Sequence, residues 1–182
     1  AVSVDSQPIK MLRYTAKKYS VAVSFGYYEL CGEAIYSSYM FIGKNGEIVN
    51  NFRRVSKGWK EYDITDEHYK EGDGFKTFTY MGKRIALAVC GDLWYEENIE
   101  QINKEKFDFL LYPVYVTYNT EMWRTKLVDE YAEQAKKIPR PVFLVNSICD
   151  ADNTRGGCYA FLNGKTVCEV PMGQDGYLLV RV

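Results

Sequence analysis

The sequence has a single histidine in 182 residues, so any chemistry run through an imidazole would hang on one side chain. That residue, His68, lies in Asp66-Glu67-His68-Tyr69-Lys70-Glu71, a charged stretch that reads as solvated surface. An excess of charge of either sign is also missing. Twenty-three Lys and Arg against 24 Asp and Glu leave a formal net charge of -1, with nothing to draw a polyanion or an anionic bilayer. No nucleic acid and no membrane are therefore expected as partners. No apolar run approaches the roughly 20 residues needed to span a bilayer, and Ala1-Val2-Ser3-Val4-Asp5-Ser6 has neither the basic flank nor the apolar core of an export signal. The cysteines, Cys31, Cys90, Cys149, Cys158 and Cys168, are odd in number and form no C-x-x-C, which excludes a disulfide framework and a zinc knuckle as expectations. Free thiols in a reducing, cytoplasmic setting fit that pattern.

What is present is ample core material, 47% hydrophobic and 15% aromatic residues. There are no repeats, low-complexity tracts or linkers, so residues 1–182 read as a single domain. Apolar residues recur at helical spacing from Ile9 to Tyr19, and Val21 to Tyr27 follows as a strand. Ala34 to Ile42 and Glu47 to Phe52 flank an Asn45-Gly46 turn as a hairpin. Phe75 to Tyr80 and Lys83 to Cys90 flank Met81-Gly82 as another, in which Ile85 to Val89 is apolar on both faces and therefore central. Helical periodicity then runs from Gly91-Asp92 to Phe107, with Glu96, Glu97 and Glu100 in or near its first turns. A strand from Phe107 to Tyr112 should stop at Pro113, a helix from Glu121 to Lys137 closes at Pro139, and Val142 to Asn146 is the next strand. Cys158 to Phe161, Thr166 to Val170 and Tyr177 to Val182 complete an antiparallel meander. Alternating strands and helices followed by a meander give an α/β (α+β) class with both strand types in a mixed sheet.

This pattern puts Cys90 at the carboxyl end of a buried strand, directly ahead of a helix. Exposed N–H groups and the positive end of a helix dipole both favour a thiolate there, and ligands bind at that edge of open sheets. Read from position alone, a small buried hydrophobe is an equal alternative.

The neighbours carry more. Gly82-Lys83-Arg84-Ile85-Ala86-Leu87-Ala88-Val89 followed by Cys90-Gly91-Asp92-Leu93-Trp94-Tyr95-Glu96-Glu97 resembles the nucleophile block of the carbon-nitrogen hydrolase (nitrilase) superfamily. Further blocks stand in that family's order: Val21 to Tyr27, Ile35-Tyr36-Ser37-Ser38, Asn45-Gly46-Glu47-Ile48-Val49, Phe52-Arg53-Arg54, Trp59-Lys60-Glu61, Tyr69-Lys70-Glu71-Gly72, Tyr112-Pro113, Trp123, Asn146 and Gly156-Gly157-Cys158. The resemblance implies a nitrilase-like four-layer α-β-β-α sandwich, a homo-oligomer, a small-molecule amide or carbamoyl substrate, and a Glu-Lys-Cys triad with no metal and no cofactor. Carried over, it makes Cys90 the nucleophile, the Gly91 amide an oxyanion donor and Glu61 a supporting glutamate. Trp94, Tyr115 and Trp123, with Tyr95, are candidates for the substrate pocket, with core packing as the other reading of each.

Two departures stand beside these matches. The family's lysine follows an aromatic-Arg pair, and here Phe52-Arg53 is followed by Arg54. Arg54 and Lys57 are thus alternatives for the cation that holds the oxyanion, and a guanidinium does not exchange protons as an ammonium does. The general-base glutamate, which follows the family's first long strand, has no counterpart; Glu29 and Glu33 come after a later strand. The expectation is an N-terminally incomplete domain, about two-thirds to three-quarters of the whole. The alternative is a relative that no longer turns over and serves oligomerisation or partner binding.

Overall fold

A computed structural model describes every residue except Tyr62, Ala151 and Asp152. Its contacts divide it into two compact units, Ala1–Gly74 with the hairpin tip Tyr80–Gly82, and Phe75–Thr79 with Lys83–Val182.

In the first unit, helix α1 (Gln7–Tyr19) begins with proline in its first turn and ends with Lys17 and Lys18 at its negative pole and Ser20 in the left-handed conformation. Ile9 and Ala16 are buried while Met11, Tyr14 and Tyr19 stay exposed, the one-sided pattern that the periodicity predicts. The buried stripe covers strands β1 (Val23–Cys31), β2 (Ala34–Ile42) and β3 (Ile48–Arg53) through Met40 and Ile42. These pair antiparallel in the order β1-β2-β3, and the short β4 (Tyr69–Lys70) adds in parallel to β2, so the sheet is mixed. The Asn45-Gly46 turn is pinned under α1, where Arg13 Nε donates to the Gly46 carbonyl at 2.8 Å. Gly46 has φ +80° and an added Cβ would lie 2.6 Å from the Arg13 carbonyl oxygen, so no other residue fits.

Glu29, on β1, is 2% exposed. Arg53 grips it with Nη2 on Oε1 at 2.7 Å and Nε on Oε2 at 3.0 Å, and the Ser38 hydroxyl donates to Oε2 at 2.7 Å. Burial raises the Glu29 pKa, but the bonds from Arg53 and Ser38 outweigh it and hold the carboxyl below its ordinary value of 4.5. A depressed carboxylate contributes stability that is complete above its unfolded pKa and is lost as pH falls through the folded value. Glu29→Gln is expected to lower stability by about 2 kcal/mol at neutral pH, less than a fully buried pair because Arg53 keeps 31% of its side chain exposed. Urea unfolding at several pH values should show the difference shrink below about pH 4; a gap independent of pH would contradict the assignment.

In the second unit, six strands run in the order β12-β11-β8-β7-β6-β5, comprising β5 (Phe78–Tyr80), β6 (Lys83–Leu87), β7 (Phe109–Val114), β8 (Val142–Asn146), β11 (Cys158–Leu162) and β12 (Lys165–Val170). Strands β6, β7 and β8 are parallel, while β8, β11 and β12 are antiparallel, the mixed sheet expected. A two-stranded ribbon, β9 (Ile148–Cys149) with β10 (Thr154–Arg155), interrupts the path from β8 to β11. Helix α2 (Glu96–Lys104) buries Ile99 and Ile102. A second helix, α3, has three parts, Thr120–Met122, a π-helical turn Trp123–Leu127 and Val128–Lys136.

Strand β1 runs to Cys31 instead of ending at Tyr27, β5 starts at Phe78 instead of Phe75, and two further differences have a clear physical reason. Strand β7 runs through Pro113, paired with Val145. Successive residues of β7 bond alternately to β8 and β6, as Leu110 N–H to Pro141 and Ala88 N–H to the Leu111 carbonyl show. The missing N–H of Pro113 therefore falls on the β6 side, where pairing has ended at Leu87, and costs no ladder bond. Tyr177 to Val182 forms no strand; Tyr177 and Leu179 stand 81% and 86% exposed, and strand-forming residues without a partner strand gain nothing from extending.

Candidate active site

Ile85 to Val89 is buried, and β6 delivers the chain to Cys90 between α2 and β7. Cys90 has φ +47°, a left-handed conformation that costs a residue with a Cβ about 1 kcal/mol or more. The strain is held in place from both sides. Asp92, fully buried, accepts the Val89 N–H on Oδ2 at 2.8 Å and donates its own N–H to the Val89 carbonyl at 3.0 Å. Asn98 Nδ2 donates to the Asp92 carbonyl at 3.1 Å, and the Tyr112 hydroxyl to the Cys90 carbonyl at 2.6 Å. The sequence argument for a helix dipole at the thiol needs correction here. Cys90–Trp94 is a five-residue 3-10 turn, and α2 starts only at Glu96, so the α-helical macrodipole does not begin at Cys90.

Cys90 and Gly91 open onto a cavity of about 540 Å³ whose remaining walls are Trp94, the segment Tyr115 to Tyr118, and Glu130 and Tyr131 of α3. Of the aromatic residues proposed for a substrate pocket, Trp94 and Tyr115 line this cavity. Trp123 does not. It is 1% exposed, its ring packs on Tyr131 at 4.9 Å, and its Nε1 donates to the Tyr159 hydroxyl at 2.8 Å. Trp123, Leu127 and Tyr131 share one side of α3, and all three belong to the buried core. Tyr95, 38% exposed, is absent from the lining.

Tyr131 joins core and cavity, standing edge-on to Trp94 at 5.2 Å. Burial, and then the charge of a Cys90 thiolate, push its phenol far above the usual range. Tyr112 is raised in the same direction by burial, Tyr131, Cys90 and Asp92. Both stay protonated, and the Tyr112 hydroxyl donates to the Cys90 carbonyl. The wall segment is fixed by buried Asn146, whose Oδ1 accepts the Val116 N–H at 3.0 Å while Nδ2 donates to the Val116 and Gly156 carbonyls at 3.2 and 3.1 Å.

Arg54, Lys57 and Glu61 belong to the first unit. Arg54 Nε donates to the Ser56 hydroxyl at 2.8 Å, and Lys57 and Glu61 are exposed, the latter turning its carbonyl to Thr65. The same unit brings together two residues from separate family-like blocks, Lys60 and Glu71, whose pairing the sequence did not predict. Lys60 Nζ meets Glu71 at 2.7 Å with both side chains about a fifth exposed, and also donates to the Tyr69 carbonyl at 3.2 Å. Glu130 and Tyr131 were likewise missed; their signal was their place on the helix that carries Trp123.

The parallel strands of the second unit, with a strained thiol beyond the end of β6 and a cavity in front of it, define a class. The chain is similar to a carbon-nitrogen hydrolase from Helicobacter pylori G27, with a TM-score of 0.73 at 18% identity over 91% of this chain and 63% of that one. It is similar at a TM-score of 0.72 and 15% identity, over 90% of this chain and 62% of that one, to a Glu-to-Gln mutant of the amidase from Nesterenkonia sp. AN1 that shows covalent addition of the acetamide moiety of fluoroacetamide at its active-site cysteine. The fold is that of the nitrilase superfamily. Residues 1–180 match the carbon-nitrogen hydrolase family, and the chain belongs to it. Among curated relatives, a citrullinase of Francisella tularensis is 26% identical over 62% of this chain and 40% of its own length. A bromoxynil-specific nitrilase of Klebsiella pneumoniae subsp. ozaenae is 30% identical over 57% and 28%. The chain thus spans less than two-thirds of the relatives it matches. No helix among the described residues is long and apolar enough to cross a membrane.

Proposed function

We propose that Cys90 is the nucleophile of a hydrolase of non-peptide carbon-nitrogen bonds in linear amides or N-carbamoyl compounds. The observation that carries this reading is the left-handed backbone of Cys90: a strained residue, held by Tyr112 on its carbonyl and by the bonded residues that flank it, with its thiol at a cavity mouth, is what an attacking group requires and a packing cysteine does not. In this reading the sulfur attacks the carbonyl carbon, a C–S bond forms, and the oxyanion is held by the Gly91 N–H. The C–N bond then breaks, the amine leaving with the proton that the thiol gave up. Water adds to the thioester, the C–S bond breaks, and the acid departs. The resemblance assigns the proton transfers to a glutamate. Glu29 is committed to Arg53 and does not serve.

Limiting iodoacetamide near neutral pH, followed by peptide mapping, should modify Cys90 ahead of Cys31, Cys149, Cys158 and Cys168. Incubation with a panel of amides should leave an acyl mass on Cys90. Equal labelling of all five thiols would sink the proposal in favour of a non-catalytic module.

A further inference from the structure

We propose that Glu130 makes the Cys90 cavity selective for substrates that carry a positive charge, so that the preferred amide or carbamoyl compound has an ammonium or guanidinium group within reach of this carboxylate. The inference rests on the reading of Cys90 as nucleophile and deepens it.

Among the described residues that line the cavity, Glu130 is the only one with a charged side chain. Trp94, Tyr115, Tyr118 and Tyr131 surround the same space with aromatic rings. Rings together with one carboxylate attract an organic cation through both the ring quadrupole and the full charge, and they repel an anion. The phenols of Tyr131 and Tyr112 stay protonated because burial and the thiol raise them, so they add no competing negative charge. Glu130 is available. Its partner is Lys126, one helical turn away, at 3.5 Å, with side chains 42% and 71% exposed for Glu130 and Lys126. Such a pair is weakly held, and an incoming cation can replace Lys126 without leaving it buried. Glu130 is also well placed by its neighbour, since Tyr131 is 3% exposed and locked against Trp94, Tyr112 and Trp123. A neutral substrate would gain nothing from this carboxylate, and an anionic one would be repelled by it.

The test uses two thiol reagents of opposite charge, 2-aminoethyl and 2-sulfonatoethyl methanethiosulfonate, compared between the unaltered chain and each variant so that their intrinsic reactivities cancel. Each forms a mixed disulfide with the cysteine sulfur and releases methanesulfinate, so the readout does not depend on turnover. The ratio of cationic to anionic modification rates at Cys90, read by peptide mass spectrometry, is expected to fall about tenfold in Glu130→Gln and to rise in Lys126→Gln. An unchanged ratio at a Cys90 that iodoacetamide still prefers would overturn the assignment of Glu130 alone. Loss of the iodoacetamide preference, with the ratio still responding to Glu130, would remove the nucleophile instead. With amide substrates, Glu130→Gln should raise KM for an ω-aminoalkyl amide about tenfold more than for its alkyl isostere. An equal loss in kcat for both would place Glu130 in the chemistry and overturn the specificity role.

Discussion

On the proposed role of Cys90, Cys90→Ala is expected to abolish amide hydrolysis, with a fall in kcat of roughly ten-thousand-fold or more, while leaving the chain folded. The thiol is a half-buried fringe of the core, so its removal costs little packing. A second substitution separates chemistry from architecture. Glycine is ordinarily less stable than alanine in an ordered segment by about 0.5–1 kcal/mol. At position 90, with φ +47°, that order should reverse, because glycine meets no Cβ clash in the left-handed region. Thermal unfolding of Cys90→Gly and Cys90→Ala, compared with each other, measures the strain. If alanine were the more stable of the two, the left-handed geometry would not be a property of the folded protein, and the case for a held nucleophile would lose its main support.

Trp123→Ala should be the most destabilising single change in the second unit, by about 3–5 kcal/mol. The ring is enclosed by Tyr118, Tyr131 and Tyr159, and its deletion opens a cavity that α3 cannot close without moving Tyr131. Total stabilities of about 5–15 kcal/mol leave little after such a loss. Trp123→Phe should cost much less, since Tyr159 keeps the Met172 N–H on its hydroxyl at 2.8 Å when the indole donor is gone. Urea unfolding midpoints for the pair would check this; near-identical midpoints for phenylalanine and alanine would mean that the site is not packed as described.

The sequence made the frame legible wherever burial imposes a period. Ile85 to Val89 is apolar on both faces because every one of its side chains is buried, and α1 shows its stripe because only one of its sides meets a sheet. Legibility failed where the deciding quantity was a neighbour rather than a pattern. Pro113 looks like a stop, and its tolerance depends on where β6 turns away. Tyr177 to Val182 has strand composition without a strand to join. Trp94 and Trp123 are the same residue type in similar company, and only the direction of each side chain makes one a wall and the other core. The sign of φ at Cys90 leaves no trace in a residue that is not glycine. Glu130 reads as an ordinary surface charge of a helix until the cavity beside it is known.

The π-helical turn from Trp123 to Leu127 has an evolutionary consequence. Elsewhere along a helix, losing one residue rotates everything beyond it by about 100°, which here would swing Glu130 and Tyr131 away from Cys90. Within this turn the Val128 N–H reaches back five residues to the Trp123 carbonyl, so α3 carries one residue more than an α-helix of the same phase. Removing one of the exposed residues Arg124, Thr125 or Lys126 would take up that slack and leave the cavity face in register. The turn is the one stretch of α3 whose length can vary while its orientation, and the carboxylate it presents, are inherited unchanged.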